Sequence, residues 1–239
     1  MNYKIITNTG VFLDFVEWLP ELQDNECYYL CLFARSKYCK NEDGSNKFPH
    51  IKSDKSQLKR FVVSKKEHIY DKVKHLETKI GSYKTKDGMA IPQEALSLYI
   101  TVNPRNQQKA LFILMKRLID IQECKGINFN LNAEALSAIQ KAKSRSCYID
   151  FDYDNNDPNF KFYNLKEWIY DRVGYNSDVK FLMTRGGYHI LINPEKVEEN
   201  YKSTWYNSIS KNQYIDIIGD NMIPVPGTYQ GGFTPLFIK

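Results

Sequence analysis

Cysteine pairs, long apolar runs and a decisive excess of one charge are all missing from this 239-residue chain. Its five cysteines (Cys27, Cys31, Cys39, Cys124 and Cys147) are odd in number, unevenly spaced and contain no CxxC pair. That spacing supplies neither a disulfide framework nor a ready zinc site. Cys27 and Cys31 fall inside ECYYLCLFA, whose bulky residues suit a strand. No structural zinc is expected, and the cysteines read as buried free thiols of a reducing cytoplasm. The longest apolar runs, such as LFILM at 111–115, fall far short of the ~20 residues of a membrane span. The opening MNYKIITNTG lacks the apolar core of a signal peptide. A soluble cytoplasmic protein is the expectation, with no membrane partner. Lys and Arg number 33 against 28 Asp and Glu, and the net charge of +5 suits a polyanionic partner without requiring one. No sharp Ser-His-Asp or Cys-His signature is present, so a protein nucleophile has no obvious source.

What is present is a core. Hydrophobic residues make up 42% of the chain and charged ones 26%, enough for one large domain or two intimate small ones. In GVFLDFVEWL, Phe12, Phe15, Val16 and Leu19 share a helical face, and Pro20 stops the helix. Cys27 to Ala34 reads as a strand, and KYCKNEDGSNKFPHIKSDKS as a polar loop. Two helices are expected next, one marked by Leu58, Phe61 and Val62, the other by Ile69, Val73, Leu76 and Ile80. Lys65, Lys66, Lys72 and Lys74 surround them. LSLYITV is a strand, KALFILMKRLIDI a helix, and a second helix lies near 132–143.

From residue 146 the texture changes. CYIDFDYD is a strand, LKEWIYDRV a helix, VKFLMT and YHILIN strands around Arg185-Gly186-Gly187, VEENYKSTWYNSI a helix, QYIDII a strand and MIPVP a last extended piece. The βαββαβ order suggests a ferredoxin- or RRM-like module, and the class is α+β. The expected division is 1–145, an N-terminal α/β module, and 146–239, the RRM-like module.

Chemistry concentrates in the second part. Asp150 and Asp152 are two apart on a strand and so share a face. Two carboxylates side by side repel unless a cation lies between them, and hard oxygen ligands suit Mg²⁺ or Mn²⁺. Asp154 continues the alternation but runs into NNDPN, a strand exit. Thr184-Arg185-Gly186-Gly187-Tyr188-His189 sets donors beside a glycine turn that an anion can approach closely, though GG between strands is also simply a good hairpin. Asp216 is a lone acid in an apolar strand, while Asp220 sits in a GDN turn. The signal lies in the combination.

That ordered set, Tyr148-Ile149-Asp150-Phe151-Asp152, then Thr184 to His189, then Tyr214-Ile215-Asp216, resembles the three motifs of the archaeo-eukaryotic primase superfamily. The tail Ile223-Pro224-Val225-Pro226-Gly227-Thr228 is similar to the proline-glycine turn of phage and plasmid primase-polymerases. Tyr99 to Arg105 and Leu32 to Arg35 look similar to N-terminal segments of the same phage, plasmid and CRISPR-associated group.

The resemblance implies an N-terminal α/β module packed on an RRM-like module with the active site between them. It implies metal-dependent, template-directed transfer of nucleotides to a 3′-hydroxyl, with de novo priming in many members, in DNA replication of a phage or other mobile element. On it, Asp150, Asp152 and Asp216 hold two Mg²⁺ or Mn²⁺ ions, and Thr184, Arg185, Gly187 and His189 meet the nucleoside triphosphate. Asn103 and Arg105 become nucleotide contacts, and Arg35 touches nucleotide or DNA. A single-stranded DNA template is expected along Lys141, Lys143, Arg145 and the lysines between 65 and 74. The chain lacks the zinc segment of several relatives and ends soon after the Pro226-Gly227-Thr228 turn, so a helicase or helical priming domain is an expected partner. Rival readings are a metal-dependent nuclease, an inactive replication-initiator or single-stranded DNA-binding module, and a D-x-D glycosyltransferase, which leaves Thr184 to His189 and Asp216 unexplained.

Overall fold

The computed structural model describes residues 1–41, 43–51, 56–123, 129–154 and 160–238. Cys124, parts of the loop at 37–56 and the NNDPN strand exit lie outside them in whole or in part. The protein is α+β, built on two antiparallel sheets.

Helix α1 (Thr9–Trp18) begins where Asn8 accepts a hydrogen bond from the Val11 amide. It ends ahead of Pro20 and buries Phe12 and Phe15, followed by Leu19. Strand β1 (Glu26–Ala34) is buried along its whole length because it lies between β2 (Ser56–Val63) and β3 (Leu96–Thr101). Tyr28, Leu30 and Leu32 enter the main core with α1 and with Ile69 and Val73 of α2 (Ile69–Lys74). Tyr29, Cys31 and Phe33 face the other way.

Residues 56–63 form a strand where the apolar spacing suggested a helix. The register of β1 against β2 runs Leu32↔Lys59 and then Phe33↔Gln57, skipping Leu58. This bulge turns Leu58 to the same core as Phe61, a spacing of three that imitates a helical face. The second helix is shorter than expected, and Ile80, beyond its end, is exposed.

The two-residue strand β4 (Arg105–Asn106) pairs with the start of β1 and leads into α3 (Gln107–Glu123), which packs on α4 (Leu131–Lys141). Ala110, Ala138 and Ala142 allow that close approach. Leu136 and Ile139 of α4 cover Tyr29 and Val62.

The second sheet contains β5 (Ile149–Asp154), β6 (Val179–Met183), β7 (Gly187–Ile192) and β8 (Ile215–Gly219). Helix α5 (Phe162–Val173) follows β5, and α6 (Trp205–Ser210) precedes β8 after two short 3₁₀ turns, so the expected helix at 197–209 is largely not α-helical. The strand order β6-β7-β5-β8 is that of a split βαβ unit. Phe151, Ile190 and Phe181 project to α5 and α6 and form a second core with Ile169 and Trp205. Leu182 and Leu191 project to the opposite face and join the main core.

After β8 the chain leaves this sheet. Strand β9 (Met222–Pro224) pairs with β3, and β10 (Leu236–Ile238) returns to pair with β6. Gly227, at φ +75°, makes the turn between them; a Cβ there would stand 2.5 Å from the Phe12 amide nitrogen. Phe237 and Tyr148 pack their rings on Trp18 at 4.7 and 4.9 Å, which joins the two units through aromatic contact. No described helix is long and apolar enough to cross a membrane. Cys27, Cys31 and Cys39 are buried free thiols and Cys147 is half-buried. Burial pushes Cys27 up to about 11 and Cys31 up to about 12, which keeps both neutral.

Candidate functional site

Strand alternation brings the acidic residues to one place. Phe151 and Tyr153 point into the second core, so Asp150 and Asp152 point to the other face of the sheet, toward the first unit. Asp152 has His189 of β7 as its cross-strand partner on one side and Asp216 of β8 on the other. His189, Asp152 and Asp216 therefore form one row across three neighbouring strands. Asp150 lies one pleat away, where β8 is bulged against β5.

His189 fills the space between the two β5 carboxylates. Its Nδ1–H donates to Asp150 Oδ1 at 2.9 Å and Oδ2 at 3.1 Å, and its Nε2 is 3.9 Å from Asp152 Oδ1. Burial disfavours the imidazolium, but Asp150, Asp152 and Asp154 outweigh it and raise the His189 pKa. Burial likewise raises Asp152, helped by Asp150 and Asp154 and opposed by His189 and Lys37. Asp150 is almost wholly buried, Asp152 half-buried and Asp216 exposed.

Asp152 and His189 border a cleft of about 650 Å³, open mouth included, while Asp150 and Asp216 stand outside its lining. The second sheet lines it with Asp152, Asp154, Thr184, Gly186 and His189. The first unit supplies Arg35, Lys37, Tyr38, Tyr99 and Gln230. Tyr38 organises that wall: the charged groups of Arg185, Arg35 and Lys37 lie 5.0, 5.5 and 5.6 Å from its ring centre. Arg35 also donates to the Tyr99 hydroxyl at 2.5 Å. Gln230 donates to the Tyr38 hydroxyl and accepts from the Arg185 amide, each at 2.9 Å, so it ties the β6–β7 turn to the opposite wall. An acidic rim thus faces a cationic one.

The turn at Thr184–Gly187 closes with the Thr184 amide donating to Gly187 O at 2.9 Å, and neither of its glycines has positive φ. Gly187 is buried at the start of β7, while Gly186 has open space before it on the cleft side.

Other residues singled out in the sequence stand apart from the cleft. Asn103 and Arg105 are buried and held by Asp220. Asn103 Nδ2 donates to Asp220 Oδ1 at 2.8 Å, and Arg105 reaches both carboxylate oxygens, at 2.6 and 3.3 Å. The Asn103 carbonyl oxygen also accepts the Cys147 and Tyr148 amides, which fixes the entry to β5. Arg145 is paired with Glu26 at 3.1 Å. Lys143 lies beside Lys109 near the start of α3, and Lys141 is exposed in a shallow groove between α3 and α4. Lys66 spans the end of α1, donating to the Glu17 and Leu19 carbonyls, and Lys74 pairs with Glu77.

Lys37, Tyr38, Tyr99, Asn221 and Gln230 line the cleft without having been singled out as functional. Tyr99 sits within a motif that the sequence displays, but nothing local marks Gln230, whose role depends on partners 45 and 192 residues away. The chain matches no family model, no curated protein and no solved structure.

The donor chemistry fits a hard divalent cation. Asp150 and Asp152 stand on one face of β5, and burial, with a smaller contribution from Asp150 and Asp154, makes a bare negative charge on Asp152 costly. Among the described residues, no three His, Cys, Asp or Glu side chains are already gathered as a ligand group. Asp150 is turned on to His189 and Asp216 stands across the ladder from Asp152.

Proposed function

We propose that this protein is a metal-dependent nucleotidyltransferase of the primase-polymerase kind, extending a nucleic acid strand from nucleoside triphosphates on a single-stranded DNA template. One observation carries the reading: three sequence-distant motifs meet in the single row His189–Asp152–Asp216, at the edge of a cleft whose opposite wall is cationic. The split βαβ order makes β7 and β8 the neighbours of β5, but it does not require titratable side chains opposite Asp152 on both.

In this reading Asp152, with Asp150 and Asp216, holds the divalent ion. Mg²⁺ or Mn²⁺ supplies charge stabilisation to an attacking hydroxyl and a leaving pyrophosphate. Arg185, Thr184, Arg35 and Lys37 receive the triphosphate, whose charge they complement. His189 positions Asp150 through its Nδ1–H and presents its Nε2 side toward Asp152. Catalysis is then mostly placement and electrostatics, with no covalent enzyme intermediate.

The test is template-dependent extension with Mn²⁺ or Mg²⁺, with and without primer, beside Asp150→Ala/Asp152→Ala. Longer strands from the wild type alone support the proposal, and products made without primer extend it to priming. Shortened strands identify a nuclease instead. No change in strand length under either metal leaves a non-catalytic DNA-binding protein.

A further inference from the structure

Helix α3 has two apolar faces, and α4 covers only one of them. Ala110, Ile113 and Leu114 pack toward α4, and Ile121 is buried on the same side. On the other side Leu111, Phe112, Met115 and Ile119 are 54%, 64%, 51% and 58% exposed. At about 100° per residue these four fall within an arc of roughly 100°. Gln108 and Gln122, both uncharged, also lie on that arc, with Leu118 just beyond one margin and Glu123 just beyond the other. Scattered surface apolar groups need no explanation, but a contiguous helical stripe without a charge inside it does.

The occupant can be argued from charge. The first turn of α3 carries Lys109, beside Lys143, and the last carries Asp120 and Glu123; between them Lys116 lies outside the apolar arc and Arg117 is paired with Glu134 of α4. A helix that is basic at one end and acidic at the other complements itself when paired antiparallel about a two-fold axis. With the axis near Met115, Phe112 meets Ile119 of the second copy, and Lys109 and Lys143 come beside its Glu123. A shallow groove lined by Asn106, Lys109, Phe112, Lys143 and Ser144 lies where that Ile119 would enter. The acids at the end of the stripe oppose an anionic lipid surface, and Lys109 and Lys116 lie outside the apolar arc.

We infer that the outer face of α3 is a homodimer interface, closed by a second copy of this chain in antiparallel register. The inference is independent of the chemistry in the cleft.

Sedimentation velocity from about 1 to about 100 µM tests it. The expected result is a concentration-dependent monomer–dimer equilibrium. Met115→Glu/Ile119→Glu should raise the dissociation constant at least about tenfold with an unchanged circular dichroism spectrum, because both side chains are exposed in the monomer. Lys109→Glu and Glu123→Lys should each weaken the dimer about threefold or more, and together restore it. A monomer throughout the range overturns the inference. So does a dimer that Met115→Glu/Ile119→Glu leaves intact, or open-ended association. Monomeric protein that floats with anionic vesicles, and ceases to in Met115→Glu/Ile119→Glu, assigns the stripe to lipid and overturns it too.

Discussion

His189 donates its Nδ1–H to both oxygens of Asp150, across the β5–β7 ladder, and both side chains are shut off from water. Each is the counter-charge of the other. His189→Ala leaves Asp150 buried without a partner and should cost about 3 kcal/mol in a urea titration without divalent ions. Adding Asp150→Ala should recover part of that loss. Strictly additive effects in the double-mutant cycle would mean that the pair is not coupled.

The Asp220 carboxylate does for the backbone what His189 does for the site. It holds Arg105 and Asn103, and Asn103 holds the first residues leading to β5. Asp220→Ala strands a buried guanidinium and should lower stability by about 2–4 kcal/mol, since Asp220 itself is only partly buried. Were Arg105 and Asn103 nucleotide contacts instead, the same variant would keep its unfolding midpoint and change substrate affinity. Denaturation of Asp220→Ala beside its nucleotide KM separates the two roles.

Gly231 and Gly232 offer an internal control on the cationic wall. Both have positive φ, +54° and +88°, so alanine at either is strained by about 1 kcal/mol. Only at 231 would the new Cβ stand 2.5 Å from Arg185 and from the Tyr38 ring. On the proposed function, Gly231→Ala should raise the nucleotide KM about tenfold while Gly232→Ala leaves it near wild type. Equal KM values for the two variants would remove Tyr38 and Arg185 from substrate binding.

Much of this was readable in advance, and the exceptions share a physical cause. Asp150 and Asp152 stand on one face because strand alternation is local, and the βαββαβ order follows from turn and periodicity signals inside each segment. Leu58 misled because a bulge depends on the partner strand, here the register of Leu32 and Phe33 against β2. Met222–Pro224 looked like a closing extended piece, yet its pairing with Tyr99 to Thr101 puts it in the first sheet. Asn103 and Arg105 carry the chemistry of a binding residue, but Asp220, more than 100 residues away, takes up their donors. Gln230 shows the converse: an unremarkable residue that long-range hydrogen bonds place in the cleft.

Glu77 supplies a pH test that owes nothing to the cleft. Its Oε1 accepts the Ile5 and Ile6 amides at 3.1 and 2.9 Å, and its Oε2 is 2.5 Å from Lys74 Nζ. Burial by itself would raise the Glu77 pKa; Lys74 and the two amides outweigh it and hold the carboxyl below its ordinary value. A depressed carboxyl binds its proton less readily folded than unfolded, so ionised Glu77 stabilises the fold above the unfolded-state pKa of about 4.3. That contribution disappears as pH falls through the lower, folded value. Because Lys74 is exposed to solvent, its ion pair is screened and Lys74→Ala should change stability little. The amides carry the rest. Glu77→Gln, which keeps the shape and loses the charge, should cost about 1–2 kcal/mol at pH 7. The gap between wild type and Glu77→Gln should then narrow steadily from about pH 5 to about pH 3, as the wild type protonates. A gap that stays constant over that range would show that the two amides bind a carbonyl as well as a carboxylate, and that the charge on Glu77 does not hold the N-terminal segment in place.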